Sequence, residues 1–489
     1  MSAAMLVTMA LCFALTISVA VSIGLAAVFG VYFGNVNMLV TVKEMFSSIN
    51  KFPLAAIPFF ILAGNLMETG GISRRLVEFA KSLVGGVQGG LPMTCVLTCM
   101  IFAAVSGSSV ATTFAIGAIL IPALIKHGYP TNWAAALQAT SAELGVIIPP
   151  SIPMILYGVS AEISIGELFI AGFGPGLLIG FALMLYVYLL CKKRGWGKQD
   201  GEGKLPLSSA FVDLAIILGG VALLAVGSKL IAPAVLDKGL SEQSMERYTN
   251  LIGVSLFAAY FIVLSVVPKF RASLNGRAAY ALMMPVIILG GIYGGVFTPT
   301  EASAVAVIYA LFVGMVVYRE IRIRDLLPIF RKSTLSSAVI MFIIANAGLF
   351  AFLITRAGVP DAIGLFLKEW LQSPLLFLLG VNAALFIIGM FIETSASIIV
   401  LAPILAPVAI HFGIDPVHFG IIMVVNLALG MITPPFGVNL FAACTVAKIS
   451  LDRIVTQLIP FVAVVLTCLV VITYVPQVSL LLRDIVYAK

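Results

Sequence analysis

The chain has 489 residues, 61% of them hydrophobic and only 10% charged, with a net charge of +7 and a mean hydropathy of +1.15. No soluble globular protein of this size has such a composition, and the basic residues are scattered without interleaved aromatics, which excludes a nucleic-acid partner. Many segments reach the ~20 apolar residues a spanning helix needs, and none shows the ~10-residue alternation of a β-barrel strand. The expected class is therefore an all-α polytopic membrane protein.

The first apolar segment, about 5–33, is too long for the core of a cleaved signal peptide and reads as a helix. A polar piece with Lys43, Glu44 and Lys51 leads to a second helix at about 53–68. Gly70-Gly71 ends that helix, and an amphipathic stretch with Arg74, Arg75, Glu78 and Lys81 follows, of the kind that lies along the membrane interface. Residues 90–127 are short for two full crossings and carry Ser106-Gly107-Ser108-Ser109 at their centre. They read as a re-entrant hairpin whose polar tip protein must cover.

The next helix, 131–161, contains Glu143-Leu144-Gly145-Val146-Ile147-Ile148-Pro149-Pro150-Ser151. Two adjacent prolines remove two backbone donors and break the helix. A helix at about 165–191 completes a first unit, 1–191. Residues 192–277 form a basic linker, with Lys192, Lys193, Arg194, Lys198 and Lys204, plus two extra helices (about 211–236 and 249–268). The second unit, 278–489, opens with two crossings up to residue 318. A basic amphipathic stretch with Arg319, Arg322, Arg324, Arg331 and Lys332 comes next, then a helix at about 336–356. A second hairpin occupies about 374–411 with Glu393-Thr394-Ser395-Ala396-Ser397 at its centre. A second broken helix spans 416–447 around Gly430-Met431-Ile432-Thr433-Pro434-Pro435, and a last helix covers about 459–480.

Shifting the sequence by 285 places the second half on the first: Pro122 meets Pro407, Gly128 meets Gly413, Leu144-Gly145 meets Leu429-Gly430, and Pro149-Pro150 meets Pro434-Pro435. Basic loops mark the cytoplasmic side. Counting from 192–204 and from 319–332 puts the ends of the first hairpin in the cytoplasm and those of the second outside. The repeats are then inverted, with about eleven crossings, two hairpins, a cytoplasmic N-terminus and a periplasmic C-terminus. Paired broken helices in inverted repeats are the architecture of secondary transporters.

The breaks offer carbonyls at Gly145 to Ile148, and the tips offer serine hydroxyls, a set of oxygens suited to a small hard cation. The N-terminal ends of the other half-helices offer N–H groups to an anion. Ion-coupled uptake of an anionic solute fits both. Glu143, Glu393 and Glu301 lie inside apolar regions, where carboxylates are functional by default; for Glu301, capping of a half-helix is an equal reading. Asn426 and Asn439 either bind solute or bridge helices. His127, His411 and His418 read as polar interface residues, and the six cysteines as packing thiols. Ser106-Gly107-Ser108-Ser109 lacks the histidine and acid a serine hydrolase needs, so no enzyme activity is expected.

Ala104-Val105-Ser106-Gly107-Ser108-Ser109, Gly145-Val146-Ile147-Ile148-Pro149-Pro150-Ser151, Gly294-Gly295-Val296-Phe297-Thr298-Pro299-Thr300-Glu301-Ala302 and Gly430-Met431-Ile432-Thr433-Pro434-Pro435 resemble the large membrane (M) subunit of tripartite ATP-independent periplasmic (TRAP) transporters. The pair of helices at 211–268 looks like an insertion relative to shorter members. The resemblance implies the ion-transporter superfamily fold, with a moving transport domain and a fixed scaffold joined by the amphipathic stretches (about 38–52, 72–86 and 319–335), an elevator-type arrangement. It implies uptake of a dicarboxylate, a sialic acid or a similar carboxylate across a bacterial inner membrane, coupled to Na+. The implied partners are a small membrane subunit of Q type and a periplasmic substrate-binding protein. Carried onto this chain, a first Na+ site falls on Ser106, Gly145, Ile148 and Pro150. A second falls on Thr394, Gly430, Thr433 and Pro435. Substrate contacts fall on Ser108, Ser109, Thr112, Ser151 and Asn439. A self-sufficient Na+/dicarboxylate symporter of the same superfamily and a non-transporting membrane scaffold are the competing readings, separated by dependence on the binding protein and on the site residues.

Overall fold

A computed structural model describes residues 1–15, 17–198, 274–360 and 373–487, with Ala362 and Leu365. The two extra helices expected within 211–268 lie outside the described residues. Among the described residues there is no strand, and eight helices are long and apolar enough to cross a membrane, or nine if the bent pair Thr131–Ile147 and Ile152–Ala161 counts as one span.

The first apolar segment is not one helix. It divides into α1 (Ser2–Ala14) and α2 (Val19–Phe33), which pack against each other. Ser18 stands between them in extended backbone, and its carbonyl is taken by the Ser22 hydroxyl at 3.0 Å. Hydropathy alone is blind to such a fold-back, because both helices are apolar. The single helix expected over about 5–33 is therefore two shorter apolar ones.

Next come α3 (Met38–Ile49), a 3-10 turn (Phe52–Ala55), α4 (Ala56–Thr69) and α5 (Ile72–Val84). Gly71 starts α5 from left-handed backbone, φ +72°, where an L side chain is strained. Arg74 and Arg75 of α5 both reach Glu320, at 2.9 and 2.8 Å, and the Arg75 guanidinium lies 3.6 Å above the Tyr318 ring. This ties the start of α5 to the segment Tyr318–Glu320.

The first hairpin consists of α6 (Gly90–Ser106) and α7 (Ser109–Lys126), with Gly107 (φ +63°) at its turn. The broken helix is α8 (Thr131–Ala142), the short turn α9 (Leu144–Ile147) and α10 (Ile152–Ala161), bent by 41° at the break. Its Pro149–Pro150 bond is cis, as is Pro434–Pro435. α11 (Ile165–Arg194) is a long single helix.

After the undescribed stretch, α12 (Leu274–Tyr293) and α13 (Pro299–Phe312, closed by a π-turn at Val313–Val317) stand where two crossings were expected; α13 with its π-turn is long and apolar enough to span, while the apolar part of α12, Tyr280–Tyr293, is shorter. α14 runs unbroken from Ile323 to Arg356, so the amphipathic stretch and the crossing expected there are one helix. At an offset of 285, α14 begins where α3 does; Pro53, which separates α3 from α4, corresponds to Ala338. Without a proline at that position the helix continues from the part matching α3 into the part matching α4.

The second hairpin is α15 (Pro374–Phe391) and α16 (Thr394–His411), and the second broken helix is α17 (Pro416–Met431) and α18 (Val438–Ala447). α16 copies the bounds of α7 at the same offset, and Gly128 and Gly413, at +85° and +73°, end the two helices alike. α19 (Leu451–Tyr474) starts earlier than expected, and Pro476 separates it from a short amphipathic α20 (Gln477–Val486).

The helices sort into two groups. α14 packs on α2, α3 and α4, and α13 on α4. In the other group the repeats interlock: α10 packs on α16 and α18 on α7 and α8, with the Tyr157 hydroxyl donating to Pro416 O at 2.8 Å. The two groups meet along α4 and α14, where Gly64 of α4 faces the backbone of Ser106.

Candidate functional site: two hairpin tips against two helix breaks

Each tip lies against the break of its own repeat. Ile152 N, just past Pro149-Pro150, donates to Gly107 O at 3.3 Å. Phe436 N, just past Pro434-Pro435, donates to Met390 O at 3.2 Å, and the backbones of Gly430 and Gly389 touch. A polar turn at this depth is sustained only because protein covers it, and Ser106 and Ser109 are nearly fully buried.

At the first pair, helix geometry assigns the amides of Pro149 and Pro150 to the carbonyls of Gly145 and Val146, and proline has no N–H. The Ser151 hydroxyl takes over Val146 O at 2.5 Å; Gly145 O has no such substitute. Gly145 has no room for a side chain: an added Cβ would stand 2.6 Å from Thr112 Oγ1 and 2.9 Å from Ser108 O. Thr112 Oγ1 donates to Ser108 O at 2.8 Å and lies 3.0 Å from Ser106 Oγ. Pro150 O approaches Gly107 equally closely. Ser106, Gly145 and Pro150 are thus brought together around one small region, with Ile148 turning out of the helix beside them at ψ 131°. Gln138 holds this tip from behind, donating to Thr112 O at 3.4 Å and accepting from Cys95 Sγ at 3.1 Å. All six cysteines are buried, and none forms a disulfide.

At the second pair the polar atoms are hydrogen-bonded within their own repeat, although Pro435 and Phe436 are exposed. Thr433 N donates to Gly430 O at 2.9 Å, Thr433 Oγ1 donates to Leu429 O at 2.9 Å, and Thr394 Oγ1 points at Met431 Sδ, 2.8 Å away. Pro435 lies on the cis bond beside them. The start of α16 is filled by its own carboxylate: Glu393 accepts from Ala396 N at 3.2 Å and from Ser395 Oγ at 2.8 Å. The second tip therefore presents a carboxylate rather than free N–H groups, contrary to the expectation for both half-helices.

A cavity of about 340 Å3 separates the tips from α4 and α14. Ser108, Ser109 and Glu393 line it on one side, Glu68 and Lys332 on the other. Thr112, Ser151 and Asn439 lie behind this surface, fully buried. Asn439 links the repeats: its amide donates to Glu143 Oε1 at 2.5 Å, and its carbonyl accepts from Thr113 Oγ1 at 3.2 Å. Glu143 Oε2 is buried without a hydrogen-bond partner. The sequence singled out Glu143 and Asn439 separately; their pairing spans 296 positions and carries no local signal. A larger cavity of about 520 Å3, lined by Glu44, Lys51 and Arg356, lies away from both tips.

The remaining candidates are structural. Glu301 and Thr298 form a reciprocal capping box at the start of α13. Asn426 donates to Asn382 Oδ1 at 2.6 Å and bridges α15 and α17. His418 is buried, not interfacial, with Nε2 3.2 Å from Thr473 O. Among the described residues no three His, Cys, Asp or Glu side chains cluster as metal ligands; the oxygens gathered at the first tip are hydroxyls and carbonyls.

The sequence matches the family described as "Tripartite ATP-independent periplasmic transporter, DctM component" over residues 6–478. It is 40% identical over 441 residues to the C4-dicarboxylate TRAP transporter large permease protein DctM of Pseudomonas aeruginosa, covering 90% of this chain and 88% of that one. It is 37% identical over 465 residues to the isethionate TRAP transporter permease protein DctMQ of Oleidesulfovibrio alaskensis, covering 95% of this chain and 63% of that one. Among solved structures, the YdaH transporter of Alcanivorax borkumensis shares the fold, with a TM-score of 0.57 at 14% identity, covering 88% of this chain and 86% of that one. These relatives are transporters, not enzymes, and the chain belongs to the family of large membrane components of TRAP transporters.

Proposed function

We propose that this protein is the large permease of a Na+-coupled TRAP system that imports a small organic anion across the bacterial inner membrane. The observation that carries the reading is the first tip against the first break. It brings Ser106, Ser108 and Thr112 of the tip against Gly145 and Pro150 of the break, and Pro149, which has no N–H, leaves Gly145 O without its helical donor; on this reading the Ser106 hydroxyl and the carbonyls of Gly145, Ile148 and Pro150 are the ligands. Oxygens of this kind, with the negative end of a half-helix, suit Na+. Thr394, Gly430, Thr433 and Pro435 form the corresponding second site, with Pro435 exposed in this conformation.

Two sets of contacts support the inverted arrangement. At the C-terminal end of α11, Gln88 donates to Trp196 O and Tyr129 packs on Trp196, so the ends of the first hairpin lie there. At the N-terminal end of α11, Gly166 faces Tyr487, while Arg483 of the same α20 pairs with Asp415 at the end of the second hairpin. α11 is 30 residues long, about 45 Å. The hairpins enter from its opposite ends, the first from the cytoplasmic side, and α20 lies on the periplasmic side. The group bearing both tips and breaks is the moving domain, α1, α2, α4, α13 and the second part of α14 the scaffold, and α3, α5 and the first part of α14 connect them in an elevator motion.

Ser108 and Ser109 contact the solute directly; Thr112, Ser151 and Asn439 set the shape of that surface from behind. The names of the two relatives, a C4-dicarboxylate and an isethionate transporter, support a small carboxylate or sulfonate. The joined name DctMQ supports a small membrane subunit as partner, and the family description supports a periplasmic binding protein. The test is uptake of radiolabelled succinate and isethionate by proteoliposomes holding the chain with its small subunit. Uptake should require both an inward Na+ gradient and the binding protein. Uptake by this chain alone would favour the self-sufficient symporter.

A further inference from the structure

The scaffold wall of the solute cavity carries an ion pair that the coupling reading leaves unused. Lys332 Nζ of α14 lies 3.1 Å from Glu68 Oε2 of α4, with side-chain exposures of 61% and 34%. Both residues line the same cavity as Ser108, Ser109 and Glu393. Ser336, one turn on from Lys332, lines it as well and donates to Lys332 O at 3.1 Å. One turn further in, Asn65 donates to Ser333 Oγ at 2.8 Å and joins α4 to α14 directly. The ion pair thus stands at the mouth and the amide–hydroxyl bond behind it.

The chemistry of this mouth is asymmetric. Of its charged groups, Glu393 is held by its own helix cap, and Glu68 and Lys332 hold each other. An exposed pair of this kind is worth little, because solvent and salt screen it. It is therefore easily exchanged: an anion arriving at Lys332 replaces Glu68 at small net cost. The pair is also anchored on the scaffold rather than on the tips. A solute held by Ser108 and Ser109 meets Lys332 only while the tips stand beside this part of α14.

We propose that Lys332 is a displaceable anion station at the mouth of the solute cavity. In the arrangement seen here it takes the carboxylate or sulfonate of a departing or entering solute in exchange for Glu68, and it pairs with Glu68 again when the mouth is empty. This rests on the assignment of that cavity to the solute. Lys332 is a positioning and specificity-determining residue for anions, and it does not travel with the solute.

The test measures the mouth without relying on transport. Ser336→Cys in the full chain supplies a reporter thiol; the native cysteines are all buried. Its alkylation is compared for an anionic sulfonatoethyl and a cationic trimethylammonioethyl methanethiosulfonate of similar size. A unit charge one helical turn away changes the local concentration of a charged reagent about three-fold in screened solution. Lys332→Gln should slow the anionic reagent and speed the cationic one, Glu68→Gln should do the opposite, and Lys332→Arg should keep the parent ratio. An unchanged ratio in Lys332→Gln overturns the station. A low ratio in Lys332→Arg as well overturns it too, since the effect would then follow shape rather than charge. Na+-dependent thermal stabilisation of the same variants should stay at the parent level. Its absence in the parent would count against the Na+ reading while leaving the reagent ratio to decide on Lys332.

Discussion

Asn439 and Glu143 join the two broken helices: the amide donates to the carboxylate at 2.5 Å, and both side chains are almost fully buried. Asn439 stands in the first turn of α18 and Glu143 between α8 and α9, so the contact fixes one break against the other. Thr113 extends the link to the first hairpin by donating to Asn439 at 3.2 Å. Three of the four pieces that build the site are held in register by this one amide.

Asn439→Ala removes the donor and leaves a buried carboxylate without it. A buried acceptor that loses its partner costs roughly 1–3 kcal/mol. Asn439→Ala should therefore lower the thermal midpoint clearly, and Glu143→Gln, which keeps an acceptor for Asn439, should lower it less. Thermal unfolding of the purified variants checks the order.

Gly145→Ala places a methyl group 2.6 Å from Thr112 Oγ1 and 2.9 Å from Ser108 O. Backbone lines part of that clash, so the tip must move away from the break; overpacking of this kind costs about 1–3 kcal/mol. The expected outcome is a folded but less stable protein with Na+ stabilisation largely lost. Gly290→Ala, which meets nothing within 4 Å, serves as the control and should keep it.

Where α20 meets the second repeat, Asp415 caps α17 through Val417 N and His418 N and pairs with Arg483 at 2.7 Å. Partial burial pushes the Asp415 carboxyl up, but Arg483 and the two backbone N–H groups together hold it below its ordinary value. The folded value lies below the unfolded one of about 3.9, so ionised Asp415 stabilises the docking of α20 above that pH and stops doing so as pH falls through the lower folded value. Hydrogen exchange of residues 477–486 should stay slow down to about pH 4 and rise below it. Asp415→Asn keeps a cap but not the charge, and should speed that exchange already at neutral pH.

The site was legible in the sequence where the chain is punctuated. Gly145, Pro149-Pro150, Ser106–Ser109 and their counterparts at 285 interrupt apolar runs, and a helix in lipid cannot absorb such residues without a reason. What escaped is of two kinds. Apolar segments give no sign of folding back or running on: α1 and α2 divide at Ser18, while α14 continues through the position that matches Pro53. Pairs far apart in sequence were also invisible. Glu143 with Asn439 and Lys332 with Glu68 meet only when the helices pack, 296 and 264 positions apart. The carboxylate that caps α16 was visible as a residue; that Glu393 fills the N-terminus expected to bind an anion appears only in the geometry.

Binding of radioactive sodium to the purified full chain tests the central claim most directly. Saturable binding, displaced by unlabelled Na+ and not by K+, is expected, with Ser106→Ala reducing the affinity at least several-fold. No saturable binding, or full affinity retained in both Ser106→Ala and Gly145→Ala, would contradict it.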